Sequence, residues 1–213
     1  MIGVVASGMP VTWLIARAAG LVAFALLSIS VTLGLMVSTK LLKPRWQKTL
    51  FGWHQTLIWT GLAMLALHAG AILLDPVMRF GLTAVVVPGA APWRPITVAA
   101  GVVAGYLMLA LAISFRARRR IGQRRWRLLH YASFLAFALA LGHGLHAGTD
   151  LTGATGLVLA AIFLAPVLWL TFARILMPRT PRSAPAAPAG RRTASTERTA
   201  SSAEPARRGA VPA

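Results

Sequence analysis

The chain contains no cysteine among its 213 residues. That excludes disulfides, cysteine-ligated iron–sulfur clusters and covalent c-type haem attachment through Cys-x-x-Cys-His. Charge is scarce as well. Charged residues make up 12% and hydrophobic residues 57%, whereas soluble domains run at about a quarter charged. No basic stretch precedes the first apolar run and no small-residue cleavage site follows it. The first run therefore reads as a retained helix and not as a signal peptide. A Gly-rich strand–turn–helix signature for a nucleotide cofactor is also missing.

What the chain does have is apolar runs of membrane-spanning length, about 20 residues each. Five can be marked: Pro10 to Val37, Thr49 to Leu74, Ile96 to Phe115, Leu128 to Ala147 and Ala154 to Leu176. In lipid each must satisfy its own backbone, so each is a helix. The predicted fold is an all-α integral membrane bundle of about five helices over residues 1–177. The apolar middle of "DPVMRFGLTAVVVPGAAPWRP" adds a short or interfacial segment. From Pro178 the chain is Pro, Ala, Ser, Thr and Arg with almost no large apolar side chain, a composition that cannot offset ordering entropy, so 178–213 reads as a disordered tail. Its arginines suit anionic lipid or a cytosolic partner as well as plain solvent.

The formal charge of +18 invites a nucleic-acid reading. The placement of the charge rejects it, because no basic face with interleaved stacking aromatics exists. Lys40, Lys43, Arg45 and Lys48 separate the first two runs, and Arg116, Arg118, Arg119, Arg120, Arg124, Arg125 and Arg127 the third and fourth. Arg174, Arg179 and Arg182 close the fifth. The other connections hold only Asp75, Arg79, Arg94 and Asp150. The positive-inside rule then puts the N-terminus outside and the C-terminus in the cytoplasm of a multi-pass plasma-membrane protein. Trp13 and Trp93 suit the outer interface, Trp46 and Trp126 the inner one.

Four histidines lie within the apolar helices: His54 and His68 on the second, His130 and His143 on the fourth. Ionisable groups at depth are costly in lipid and mark function by default. Fourteen residues separate the first pair, about 21 Å along the axis and about 40° short of whole turns. Both helices run outward, so the histidines pair by depth, His54 with His130 and His68 with His143. An imidazole from each of two helices at one level is what bis-histidine haem b needs. Gly61, Ala136, Ala140, Gly142 and Gly144 offer room, as ordinary helix packing also does. The thirteen-residue spacing of His130 and His143 puts them on different faces of an ideal helix. His146 is an alternative outer ligand, or a plain interface histidine. Zinc needs convergent ligands and fits two separated pairs poorly. A proton relay of histidines in a transporter subunit or assembly factor is the competing, non-redox reading.

The paired histidines, with "WLIARAAGL", "LLDPVMRFGL", "VVVP…WRP", "GQRRWRLLHYASF" and "HGLHAGTD", make Thr12 to Asp150 similar to the ferric reductase-like transmembrane domain family. That family includes ferric reductases, the membrane portion of NADPH oxidases and the haem subunit of a periplasmic methionine sulfoxide reductase system. The resemblance implies that His54, His68, His130 and His143 hold two b-type haems, with His143 in preference to His146. It implies electron transfer from a cytoplasmic donor to an extracytoplasmic acceptor: ferric iron, oxygen, quinone or a redox protein. Family members often carry cytosolic flavin and NADPH domains; this chain has only the tail. The donor would be a separate flavoprotein, reduced flavin or a quinol. Five helices stand where six are common. Arg17, near the depth of His68, is placed to meet an outer-haem propionate or to snorkel to the outer interface. Arg124, Arg125 and Arg127 stand similarly for the inner haem.

Overall fold

A computed structural model describes residues 11–39, 43–148 and 153–176. The chain divides into two units, Met1–Leu176 and Met177–Ala213. The described residues belong to the first; the expected tail at 178–213 and Asp150 lie outside them. Seven helices and no strand occur among the described residues: α1 Val11–Thr39, α2 Pro44–Leu73, α3 Leu82–Val86, α4 Pro95–Ile121, α5 Gln123–His130, α6 Ala132–Ala147 and α7 Gly153–Leu176. Taking α5 and α6 as one span, five helices are long and apolar enough to cross a membrane. The protein is an all-α integral membrane bundle.

The helices extend past their apolar runs at the end where the basic residues cluster. α2 begins with Pro44 at its first position, where a missing N–H costs nothing. It then carries Arg45 and Lys48 before the apolar stretch. α4 continues through Arg118, Arg119 and Arg120, cations that its C-terminal dipole favours. Gly122 ends it at φ 86°, a left-handed conformation that a side chain would strain. The fourth span starts at Gln123, five residues ahead of its apolar run, and is interrupted at Tyr131. There the Tyr131 N–H donates to Leu128 O at 3.1 Å and the Phe134 N–H to Tyr131 O at 3.1 Å. These three-residue closures wind the chain more tightly than an α-helix. The overwinding closes part of the phase gap between His130 and His143.

α1 is the most buried helix, and Ala16, Ala19, Ala23, Leu27 and Leu35 pack inward along it. The main apolar core joins Phe24, Leu27, Val31, Met108, Phe137 and Val167 from α1, α4, α6 and α7. Phe24 and Phe137 stack with ring centres 5.8 Å apart, and Phe163 meets Phe24 edge-on. The apolar connection between α2 and α4 folds back as predicted. Its short helix α3 sits over a second cluster of Phe80, Ala84 and Ala91, and Tyr106 donates a hydrogen bond to Val86 O. Asp75 is buried beside it, accepting from the Met78 and Val77 N–H groups at 2.8 and 2.9 Å and from the Thr12 hydroxyl at 2.9 Å. This contact ties the start of α1 to the end of α2. At the opposite end the Arg174 guanidinium donates to Ser38 Oγ and to the Tyr131 hydroxyl, joining α7 to α1 and the α5–α6 junction.

Candidate functional site

The four histidines meet in two pairs. The rings of His54 and His130 have centres 6.1 Å apart with planes at 74°. Those of His68 and His143 are 6.3 Å apart at 84°. The pairing by depth expected from the spacings is the pairing found. His146 is exposed and its Nδ1 bonds to Gly142 O within its own helix. It takes no part in either pair.

Three of the rings are oriented from behind by backbone. His68 Nδ1–H donates to Ala16 O at 2.7 Å, His54 Nδ1–H to Ser30 O at 2.8 Å and His143 Nδ1–H to Thr97 O at 2.9 Å. Ser30 Oγ lies 2.8 Å from the same His54 nitrogen. A carbonyl can only accept, so in each ring Nδ1 carries the hydrogen and Nε2 keeps its lone pair. This is the tautomer that binds a metal through Nε2, with the backbone partner fixing ring orientation. His130 differs: among the described residues its buried Nδ1 has no hydrogen-bond partner.

Close approach of the rings to the facing helices depends on glycine. A Cβ on Gly20 would stand 2.8 Å from His68 Nδ1, and one on Gly101 2.7 Å from His143 Nδ1. On Gly34 it would meet His54 at 3.4 Å. Of the small residues expected around the rings, Ala136 lines the cavity that His54 and His130 open into, but these glycines are different. Gly61 meets Leu26 on α1, and a Cβ on Gly142 would touch nothing within 4 Å. Spacing carried one signal, because Gly20 and Gly34 are fourteen apart, as are His54 and His68.

With a metal about 2.0 Å from the nitrogen and the ring centre ~1.1 Å behind it, two imidazoles on opposite sides of one metal would have centres roughly 6.2 Å apart, and two tetrahedral ligands about 5.1 Å. The ring-centre separations of 6.1 and 6.3 Å lie nearer the first value. Among the described residues no group of three or more His, Asp or Glu converges to hold an ion.

His54 and His130 open into a cavity of about 880 Å³. Gly34, Met108 and Phe115 line it, with Arg116, Arg127 and Arg174 contributed by three helices. Of the three arginines expected near the inner pair, Arg127 is among those lining residues and Arg124 and Arg125 are not; Arg116 and Arg174 were not anticipated. Trp126, expected as an interface anchor, also lines the cavity and stacks on His130, ring centres 4.9 Å apart. Arg17 follows Ala16 in sequence and so sits at the level of His68, with its guanidinium carbon 6.0 Å from the Trp13 ring centre. No protein-family model, curated protein or solved structure matches the chain.

Proposed function

We propose that this protein carries electrons across the membrane through two bis-histidine b-type haems, one held by His54 and His130 and the other by His68 and His143. The observation that carries the reading is the meeting of the four rings in two pairs, centres 6.1 and 6.3 Å apart, with three of four rings fixed in the metal-binding tautomer. Among the described residues no third His, Cys, Asp or Glu converges on either pair, so each pair would suit a metal whose remaining ligands come from a porphyrin. Haems held there by these histidines would supply one-electron carriers at two depths.

The chain's own residues do the rest. Ala16, Ser30 and Thr97 hold ligand orientation through their carbonyls. Gly20 and Gly101 let the His68 and His143 rings approach the facing helices, while a Cβ at Gly34 would make near-ordinary contact with His54. Arg116, Arg127 and Arg174 give the inner cavity the positive charge that haem propionates need. The outer site has Arg17 on α1 at the level of His68. Positive-inside sorting favours the arginine-rich end in the cytoplasm, and in our reading electrons pass from there outward. The resemblance to the ferric reductase-like family points the same way. The donor would then be a cytosolic flavoprotein, reduced flavin or a quinol, and the acceptor would lie outside.

A proton relay finds little support. Between the two levels the core is Phe24, Leu27, Phe137 and Met108. Ser28 is buried nearby, but its hydroxyl donates to Phe24 O.

The test is the colour of the protein. Purified after expression with ample haem, it should show Soret and α bands that sharpen on dithionite reduction, with two haems per chain. Replacing His54 or His130 should remove one haem, and replacing His68 or His143 the other. Colourless protein, or losses that cross these pairs, would overturn the reading.

A further inference from the structure

Three of the four histidines are held by one repeated device. The acceptor carbonyl and a glycine stand four residues apart on the facing helix: Ala16 with Gly20, Ser30 with Gly34, Thr97 with Gly101. In a helix the side chain at i+4 leans back over the carbonyl of residue i. A glycine there leaves that oxygen open to a second donor. Fourteen residues beyond Thr97 and Gly101, the same register on α4 falls on Leu111 and Phe115. Both line the inner cavity with His130. Phe115 puts a ring where the glycine would be, and the Ser114 hydroxyl already donates to Leu111 O at 2.8 Å. At this register the carbonyl of Leu111 is already taken up, and among the described residues His130 Nδ1 has no partner.

A different contact holds the ring. Trp126, four residues earlier on α5, stacks on His130 at 4.9 Å with planes 24° apart. Phe115 braces the indole edge-on at 5.8 Å, and Phe51 braces Phe115 at 5.6 Å. Trp126 Nε1 is itself buried without an acceptor. The indole is therefore placed for its face and not for its N–H.

We infer that Trp126 is the positioning residue of His130, its stacked ring taking the place that a backbone carbonyl fills for the other three histidines. This rests on the reading of His54 and His130 as ligands of one haem. An N–H without an acceptor also leaves His130 a weaker electron donor than its three counterparts, which favours the ferrous state at the inner site.

The experiment uses the purified full-length chain with its haem, read by haem content and by the low-spin ferric electron paramagnetic resonance signals. The inner signal is the one lost in His54→Leu. Trp126→Leu should weaken inner-haem retention roughly 10- to 100-fold, as losing an outer-shell partner does. It should also shift or broaden the inner signal and leave the outer one unchanged. Trp126→Phe, which keeps an aromatic face, should restore both. An unchanged inner signal in Trp126→Leu, parallel loss of both signals, or failure of Trp126→Phe to restore would each overturn the inference. Wild-type protein without haem would overturn the ligand reading instead, so the two failures are distinguishable.

Discussion

Adding one methyl group at Gly101 should cost the protein its outer haem, while the same change at Gly34 should be tolerated. The new Cβ at position 101 would stand 2.7 to 2.9 Å from three atoms of the His143 ring. Ordinary carbon contact begins at about 3.5 Å, so the ring must retreat by roughly 0.8 Å. His143 Nδ1 now lies 2.9 Å from Thr97 O, and that retreat takes it beyond hydrogen-bond range. Overpacking costs ~1–3 kcal/mol and the lost bond about 1 kcal/mol, against a gain of about 1 kcal/mol from replacing glycine in a helix. The net penalty is ~1–3 kcal/mol, which corresponds to roughly 5- to 150-fold weaker retention of the proposed outer haem. At Gly34 the new Cβ would sit 3.4 Å from His54, close to ordinary contact. There the helix gain of up to about 1 kcal/mol stands nearly unopposed. Gly20→Ala belongs with Gly101→Ala, since its Cβ would lie 2.8 Å from His68 Nδ1. The assay is haem per chain after detergent purification, followed by the rate of haem loss to apomyoglobin. Equal effects at all three positions, or a worse effect at Gly34 than at Gly101, would refute the reasoning.

Other outcomes follow from the same contacts. His146→Ala should leave both haems in place, because its ring bonds only within α6; loss of the outer haem on optical titration would reassign the ligand. The Asp75 carboxyl is held below the usual carboxylate range, first by the Met78 N–H, then by Thr12 and Val77, against the opposing effect of burial. A depressed value means that Asp75 stabilises the fold above the unfolded carboxylate range and that this stability is lost as pH falls through the folded value. Thermal stability in detergent should therefore fall below about pH 4 in the wild type, and less steeply in Asp75→Asn. Arg174→Ala should remove two hydrogen bonds that join α7 to α1 and Tyr131. Each is exposed and contributes ~1 kcal/mol at most. Thermal melts should thus show a drop of a few degrees at most, with inner-haem content falling before the outer.

Much of this architecture is legible in the sequence, for a plain reason. A helix in lipid announces itself by continuous apolarity, so five spans could be marked. Their ends could not, because hydropathy stops where lipid stops, while α2 and α4 continue as helices through Arg45 and Arg120. Depth pairing of the histidines follows from rise per residue alone. The interruption at Tyr131 does not, because hydrogen bonds closing three residues back leave no compositional trace. The acceptors Ala16, Ser30 and Thr97 were invisible for a similar reason: they act through carbonyls, which every residue has. In sequence the neighbours of Trp126 are arginines and it reads as an interface anchor, whereas in space it also meets His130 and Phe115.

The stacked Phe24 and Phe137, with Leu27 and Met108 around them, separate the two histidine levels by a mostly apolar layer in which the Ser28 hydroxyl is taken up by Phe24 O. Electrons tunnel through such matter; protons and ions do not cross it. If the proposed outward electron transfer takes place, each electron would carry net charge through this layer, and each turnover would be electrogenic. In a cell that is negative inside, the membrane voltage assists the step, by up to about 2.3 kcal/mol per electron for each 100 mV spanned. The same step runs that voltage down. The rate at which this protein can work is thereby coupled to whatever pumps restore the potential.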